Sequence, residues 1–366
     1  MGSSSKTGFL GPGVFRFFLA LVVVVHHSFP FRAGTWAVYV FFILSGYWIT
    51  KMWHSRYRQT RNSYLTFLVS RWWRLAPVFF ICIGLGFWSA ALLHDRIGLA
   101  LLGNPVWWLC QIPIAGSSDG GRILAPSWSL DVEMQFYLVA PLAVYLLSKA
   151  PSKTRWPIVA VLLVLLGLLV GLGFPTEAPY FVVFAGFFIT GIVLALGNWV
   201  AGRSTIFWAI AALFIGIAVL LAFPETRGGI WVEGNGNSSP DNWGSVWWVI
   251  AAALMIPFVS RNVRVRSGRW DRFLGNLAYP VYLFHWIPRE WYYHFCETND
   301  HGLIRILLLL GNVVVAIGGA TAILVFVDQP LERLRTKWVA SRELSAIPLP
   351  STESVASIRV PGRPDA

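Results

Sequence analysis

Ten apolar segments dominate this chain of 366 residues, at roughly 13–30, 34–53, 75–93, 127–147, 157–173, 180–197, 205–223, 245–259, 274–293 and 303–327. Each is near the ~20 residues that an α-helix needs to cross the hydrocarbon of a bilayer, although 157–173 and 245–259 are short. Composition agrees, with 56% hydrophobic and only 13% charged residues, where soluble domains carry about 25% charged residues. A further apolar stretch, 98–114, is interrupted by Asn-Pro and Ile-Pro and reads as interfacial or re-entrant. A span there would invert every later loop. The expectation is an all-α, polytopic transmembrane protein of about ten spans.

The formal charge of +12 does not form a basic face of the kind that binds nucleic acid; it gathers in alternate loops. With the N-terminus in the cytoplasm, twenty-two Lys and Arg fall inside and five outside, and Arg16 and Arg305 lie within spans. That bias sets both termini in the cytoplasm, with the lipid bilayer as partner and the inner (plasma) membrane as location. Residues 1–12 read as a cytoplasmic tail, 13–340 as one transmembrane domain, and 341–366, rich in Ser and Pro, as a disordered cytoplasmic tail. The first apolar run lacks a small-residue cleavage site and is read as a span rather than a removed leader. Cys82, Cys110 and Cys296 show no paired spacing, so neither a disulfide framework nor a zinc ribbon is expected.

The first span carries the clearest chemistry. In VFRFFLALVVVVHHS, Val14 to Ser28, eleven residues separate Arg16 from His27. That is a rise of ~16 Å and a rotation returning to within about 20°, so the two share one stripe at different depths. His26 lies about 80° away on the same geometry. Ionisable groups on one face of an apolar helix are costly in lipid and should face a protein interior or a wet cavity. The fourth span enters from outside at SWSLDVEMQFYLVAP and sets Glu133 at a depth matching His27. A carboxylate beside an imidazole can raise its basicity and fix its tautomer, as a general base requires. The competing reading is a polar pair that only joins two helices. Asp131, nearer the interface, is read as solvated.

Arg71 and Arg74, in RWWRLAP, are expected at the cytoplasmic start of the third span. They read either as positive-inside anchors or as a phosphate site, since guanidinium binds phosphate bidentately. In the ninth span, LGNLAYPVYLFHW, Tyr282 and His285 are three apart and share a face. With Tyr137, they are candidates for lining the acceptor site or channel. His54, His94, His294 and His301 fall in loops or at interfaces and read as solvated. Ser45-Gly46 offers a small-residue patch for close helix contact. No metal-binding motif, GxSxG elbow or P-loop is present, and no metal is expected.

Taken in order, Arg16-x10-His27-Ser28, FFILSGYWIT, RWWRLAP, SWSLDVEMQFYLVAP, LGNLAYPVYLFHW and DQPLER resemble the acyltransferase-3 family across essentially the whole chain. The resemblance implies a ten-span fold and a membrane O-acyltransferase with no permanently bound cofactor. Its donor substrate would be cytoplasmic acyl-CoA, with acetyl-CoA the first candidate. Its acceptor would be a hydroxyl of a surface polysaccharide, oligosaccharide or other glycan. His27 would be the base with Glu133 its catalytic partner, and Arg16, Arg71 and Arg74 would hold the donor. Tyr39, Ser70 and Ala278 depart from the family pattern. The alternative is a transporter or flippase for a polysaccharide precursor, which also places ionisable groups within a membrane.

Overall fold

Each of the ten apolar segments forms helix in the computed structural model, which describes residues 10–29, 31–93, 123–175, 180–231, 242–297 and 302–344. The stretch 98–114 lies outside the described residues, as do most of both tails. The helices are α1 (Pro12–Ser28), α2 (Gly34–Ser55), α3 (Ser63–Leu93), α4 (Trp128–Lys149), α5 (Ser152–Gly171), α6 (Phe181–Leu196) and α7 (Arg203–Ala222). They continue with α8 (Asn242–Leu254), α9 (Ile256–Asn262), α10 (Arg269–Phe284), α11 (Trp286–Glu297), α12 (Gly302–Ile323) and α13 (Gln329–Ala340). Among the described residues there is no strand, only two isolated bridges. Six stretches of helix are long and apolar enough to cross a membrane, with α1 and α6 as shorter apolar helices. The protein is an all-helical, multi-pass membrane protein.

The third span differs from its expected start at residue 75. Helix α3 begins at Ser63 and runs for 31 residues, a length of ~46 Å against ~30 Å of hydrocarbon. Arg71 and Arg74 therefore lie within the helix, more than a turn beyond its start. The segment SYLTFLVSRWWRL is apolar enough on one face, through Phe67 and Leu75, to continue the packed surface.

Prolines explain two breaks that the sequence reading ran through. Pro288 has no N–H to give Phe284, so the ninth span divides at His285, whose own N–H still reaches the Val281 carbonyl at 3.1 Å. Pro257 divides α8 from α9 at Met255 in the same way. Between α12 and α13 the chain makes a π-helical turn, Leu324–Asp328. Such turns shift side chains out of regular register and are frequent at functional sites.

Helix α2 is the hub, packed on α1, α4, α6 and α8. Its approach to α6 depends on two glycines facing each other's backbone. A Cβ on Gly46 would stand 2.1 Å from the Phe188 carbonyl oxygen, and one on Gly191 would stand 2.1 Å from that of Ile43. The Gly46 half of the expected small-residue patch thus makes the close contact, and Ser45 faces elsewhere. Helix α1 runs parallel to α10. The Asp271 carboxylate of α10 accepts a 2.8 Å bond from Val14 N–H in the first turn of α1, where the helix dipole favours an anion.

The loops are tied in pairs. The α1–α2 connection meets the segment before residue 232 through an Arg32 N–H bond to the Ile230 carbonyl, 2.9 Å. The α2–α3 connection meets the C-terminal end of α13, with Arg61 N–H on the Arg342 carbonyl at 2.8 Å and Leu344 N–H on that of Gln59 at 2.9 Å.

Gly191→Val should lower the thermal unfolding midpoint of the detergent-solubilised protein sharply, because overpacking against rigid backbone costs about 1–3 kcal/mol or more. Gly311→Ala, where nothing lies within 4 Å, should leave the midpoint unchanged or slightly raised.

Candidate active site

Five helix faces enclose a cavity of about 320 Å³. Arg16 enters from α1, Ser45 and Trp48 from α2, Arg71 and Arg74 from α3, Glu133 and Tyr137 from α4, and Tyr279 and Tyr282 from α10; Glu332 and Arg335 of α13 close one end. The three arginines singled out from sequence therefore converge on one space, together with Glu133.

Each charge in the cavity has a specific setting. Glu133 accepts from Ser45 Oγ at 2.8 Å and from Tyr137 Oη at 2.5 Å. Arg74 Nη1 meets Asp328 Oδ1 of the π turn at 2.6 Å. Arg71 Nη2 donates to Tyr57 Oη at 2.7 Å, while its Nε is buried without a partner. Arg335 pairs with Glu332 and also reaches Ser70 and Tyr57. Arg16 lines the same space, and no hydrogen bond or ion pair of its guanidinium is found among the described residues. At the far end Tyr282 Oη bonds Ser129 Oγ at 2.7 Å and the Pro126 carbonyl at 2.8 Å.

His27 is elsewhere. Its ring stacks on that of His285 with centroids 5.4 Å apart and meets Trp286 edge-on at 5.2 Å. The expected pairing of Glu133 with His27 does not occur, and neither does their matched depth. Glu133 bonds Ser45, about three turns along α2 from Gly34, which packs on His26, so Glu133 shares the level of Arg16 in the cavity. The imidazoles beside His27 are that of His26, with centroids 4.7 Å apart, and that of His285, fully buried, whose Nδ1 lies 3.2 Å from the Val281 carbonyl. A carbonyl can only accept, so Nδ1 carries the proton. The cavity and the histidines are linked through Tyr282, whose ring lies 6.3 Å from that of His285. Tyr282 and His285 share a face, as their spacing requires.

The backbone around His27 is also held. Its carbonyl accepts from Arg289 Nε at 2.9 Å and Tyr293 Oη at 3.2 Å. The Arg289 guanidinium lies over the faces of Trp286 and Tyr293, 4.1 and 4.5 Å from their centroids. Ser28 Oγ accepts from Asn312 Nδ2 at 2.7 Å.

Residues 10–327 match the Acyl_transf_3 family, an acyltransferase domain. The chain belongs to that family. It is similar to the O-acetyltransferase OatA of Staphylococcus aureus (strain NCTC 8325 / PS 47), 30% identical over 175 residues that cover 44% of this chain and 29% of that protein. It is also similar to the peptidoglycan O-acetyltransferase OatA of Listeria monocytogenes serovar 1/2a (strain ATCC BAA-679 / EGD-e), 28% identical over 137 residues, 34% of this chain and 22% of that protein. The matched parts thus span less than a third of either relative. No solved structure matches the chain.

Several residues that hold the cavity's arginines carry no clear signal in the sequence. Asp328 lay in a quoted motif without a role, and Tyr57, Ser70 and Arg335 read as parts of basic loops. Asp131, expected to be solvated, is fully buried in the first turn of α4, where the helix N-terminus favours a carboxylate. His54 and His294 are exposed as expected, whereas His94 and His301 lie outside the described residues. Cys82 is a buried free thiol, and Cys110 lies outside the described residues.

The Arg74 and Asp328 side chains are 18% and 8% exposed. Asp328→Ala should cost about 3–5 kcal/mol, because it leaves a guanidinium without its counter-charge in the interior. Removing the solvent-exposed Glu343 partner of Arg56 should cost less than about 1 kcal/mol. Thermal unfolding of the two purified variants checks the contrast.

Proposed function

We propose that the protein moves an acyl group, acetyl in the first instance, from cytoplasmic acyl-CoA to a hydroxyl of a glycan at the outer face of the inner (plasma) membrane. The reading takes ten spans with both termini in the cytoplasm. Two observations support that orientation: the twenty-two to five bias of Lys and Arg, and the tie between two basic segments, the α2–α3 connection and the end of α13, at one end of the molecule. The names of the two OatA relatives support acetyl as the group and, for the Listeria protein, a glycan as acceptor.

The observation that carries the reading is the cavity's polarity. Guanidinium groups occupy the end beside the α2–α3 connection, and the opposite end stops at Tyr282 and Ser129, one ring short of the histidine pair. A donor with phosphates at one end and a thioester at the other fits that order. Arg71 and Arg74 would hold phosphate, for which a planar guanidinium is suited. Arg16, in the second turn of α1, would line the path of the acyl-bearing arm. Phe41 and Tyr282, with ring centroids 6.2 Å apart, would stand between that arm and His27.

Chemistry at His27 follows from the weakness of a sugar hydroxyl as a nucleophile at neutral pH. The His27 imidazole takes the hydroxyl proton while the oxygen attacks the thioester carbonyl. The C–O bond forms, the C–S bond breaks, and the proton passes to the departing thiolate, leaving an ester and a free thiol. Glu133 acts on the donor side in this reading, as the counter-charge facing Arg16 across the cavity. Tyr137 holds it there.

Labelled acetyl-CoA with the purified protein and extracted surface glycans should yield a labelled ester. His27→Ala should abolish turnover while binding donor normally. Arg74→Ala should weaken donor binding roughly ten- to a hundredfold, the worth of a charge-assisted contact of ~1.5–3 kcal/mol. Absence of any acyl consumption, or full turnover by the His27→Ala protein, overturns the reading.

A further inference from the structure

The cavity's guanidinium end holds more positive charge than its own carboxylates balance. Arg16, Arg71, Arg74 and Arg335 line the space, against Glu133, Glu332 and the Asp328 partner of Arg74. The excess concentrates where α3, α13 and the α2–α3 connection meet. Tyr57 Oη there accepts from both Arg71 Nη2, 2.7 Å, and Arg335 Nη1, 3.1 Å, and lies 2.8 Å from Ser70 Oγ. Arg335 is 5% exposed and Arg71 7%, with Tyr57 and Ser70 more deeply buried behind them.

Two guanidiniums gathered on one neutral phenol, with a single carboxylate between them, form an unusual group. Burial raises the phenol's pKa, yet the fields of Arg71 and Arg335, with the hydrogen bonds from Ser70 and Arg71, outweigh it and hold the phenol below its ordinary range. The same fields favour any anion that reaches the cavity side of the pair. Arg71 Nε, buried and unpartnered on the cavity wall, is a donor without an acceptor in the protein, and such a group is costly unless something else accepts from it.

We infer that Arg335, positioned beside Arg71 by Tyr57 and Ser70, is a second phosphate anchor, and that it takes the phosphate monoester on the nucleotide of the acyl donor. The inference rests on the acyl-CoA reading above. The monoester is assigned here because the cluster lies at the end of the cavity furthest from Tyr282 and His27, and the monoester lies on the nucleotide, remote from the thioester. Arg74, one turn deeper along α3, is left for the diphosphate. Tyr57 and Ser70 act through the arginines and are positioning residues. Glu332, 36% exposed at its side chain, holds Arg335 in place until the donor arrives.

The test compares acetyl-CoA with acetyl-dephospho-CoA, which lacks only the monoester, as donors for the purified full-length protein. The unsubstituted protein should show a KM about ten- to a hundredfold lower for acetyl-CoA, as one charge-assisted phosphate contact provides. Arg335→Gln should raise the KM for acetyl-CoA much more than that for the dephospho donor, so that the two converge. Tyr57→Phe should shift the ratio in the same direction by less. Equal KM values for the two donors in the unsubstituted protein overturn the inference, even if Arg335→Gln fails to fold. So does an Arg335→Gln effect of equal size on both donors, which would mark a merely structural residue. Acetyl transfer from neither donor removes the acyl-CoA reading and this inference together.

Discussion

A guanidinium group cannot be left bare in a low-dielectric interior, and this chain brings four of them to one cavity. The helix arrangement answers that constraint for Arg71, Arg74 and Arg335, while Arg16 shares the cavity with Glu133. Asp328 reaches Arg74 from the π turn and so fixes α12 and α13 against α3. Arg335 joins α13 to Ser70 on α3 and to Tyr57 in the preceding connection. Glu133 joins α4 to Ser45 of α2. Apolar packing between helices is strong but nearly indifferent to sliding, whereas these bonds tolerate a displacement of only a few tenths of an ångström. The polar interior therefore sets the register of helices that lipid and apolar contacts merely gather together.

The same bonds separate two environments along the membrane normal. One end of the cavity is rich in cations. Beyond Tyr282 come the rings of His285 and Trp286, 5.4 and 5.2 Å from that of His27. Such a gradient suits a ligand that is anionic at one end and reactive at the other. Glu133 stays on the cationic side, committed to Ser45 and Tyr137.

Much of the architecture was legible in the sequence, because the feature that dictates it, the run of apolar residues, is itself linear. Each expected span has its helix, and the stripe through Arg16 and His27 correctly set one at the cavity and the other near the far end of α1. Position along one helix can be counted from sequence, but the level at which a neighbouring helix lies beside it cannot. That is why Glu133 was matched with His27, when Ser45, well along α2 from the histidines, claims it instead. The extension of α3 was hidden because its basic residues resemble a cytoplasmic loop, and Arg335 was hidden for the same reason. The breaks at His285 and Met255 were signalled by Pro288 and Pro257, but Pro77, Pro141 and Pro280 sit inside continuous helices, so a proline alone does not announce a break.

Helix α1 is gripped at both ends by one neighbouring stretch of chain. Asp271 meets the amide end at Val14, and Arg289 meets the carbonyl end at His27. An anion and a cation thus bracket the helix dipole in its favourable sense, on α10 and α11, which run alongside in the same direction. A helix clasped in this way cannot move as a piston along its axis without breaking a charge-assisted bond at each end. His27 consequently belongs to the stationary frame of the protein. Any rearrangement between the cavity and His27 therefore falls to side chains such as Phe41 and Tyr282, or to helices other than α1.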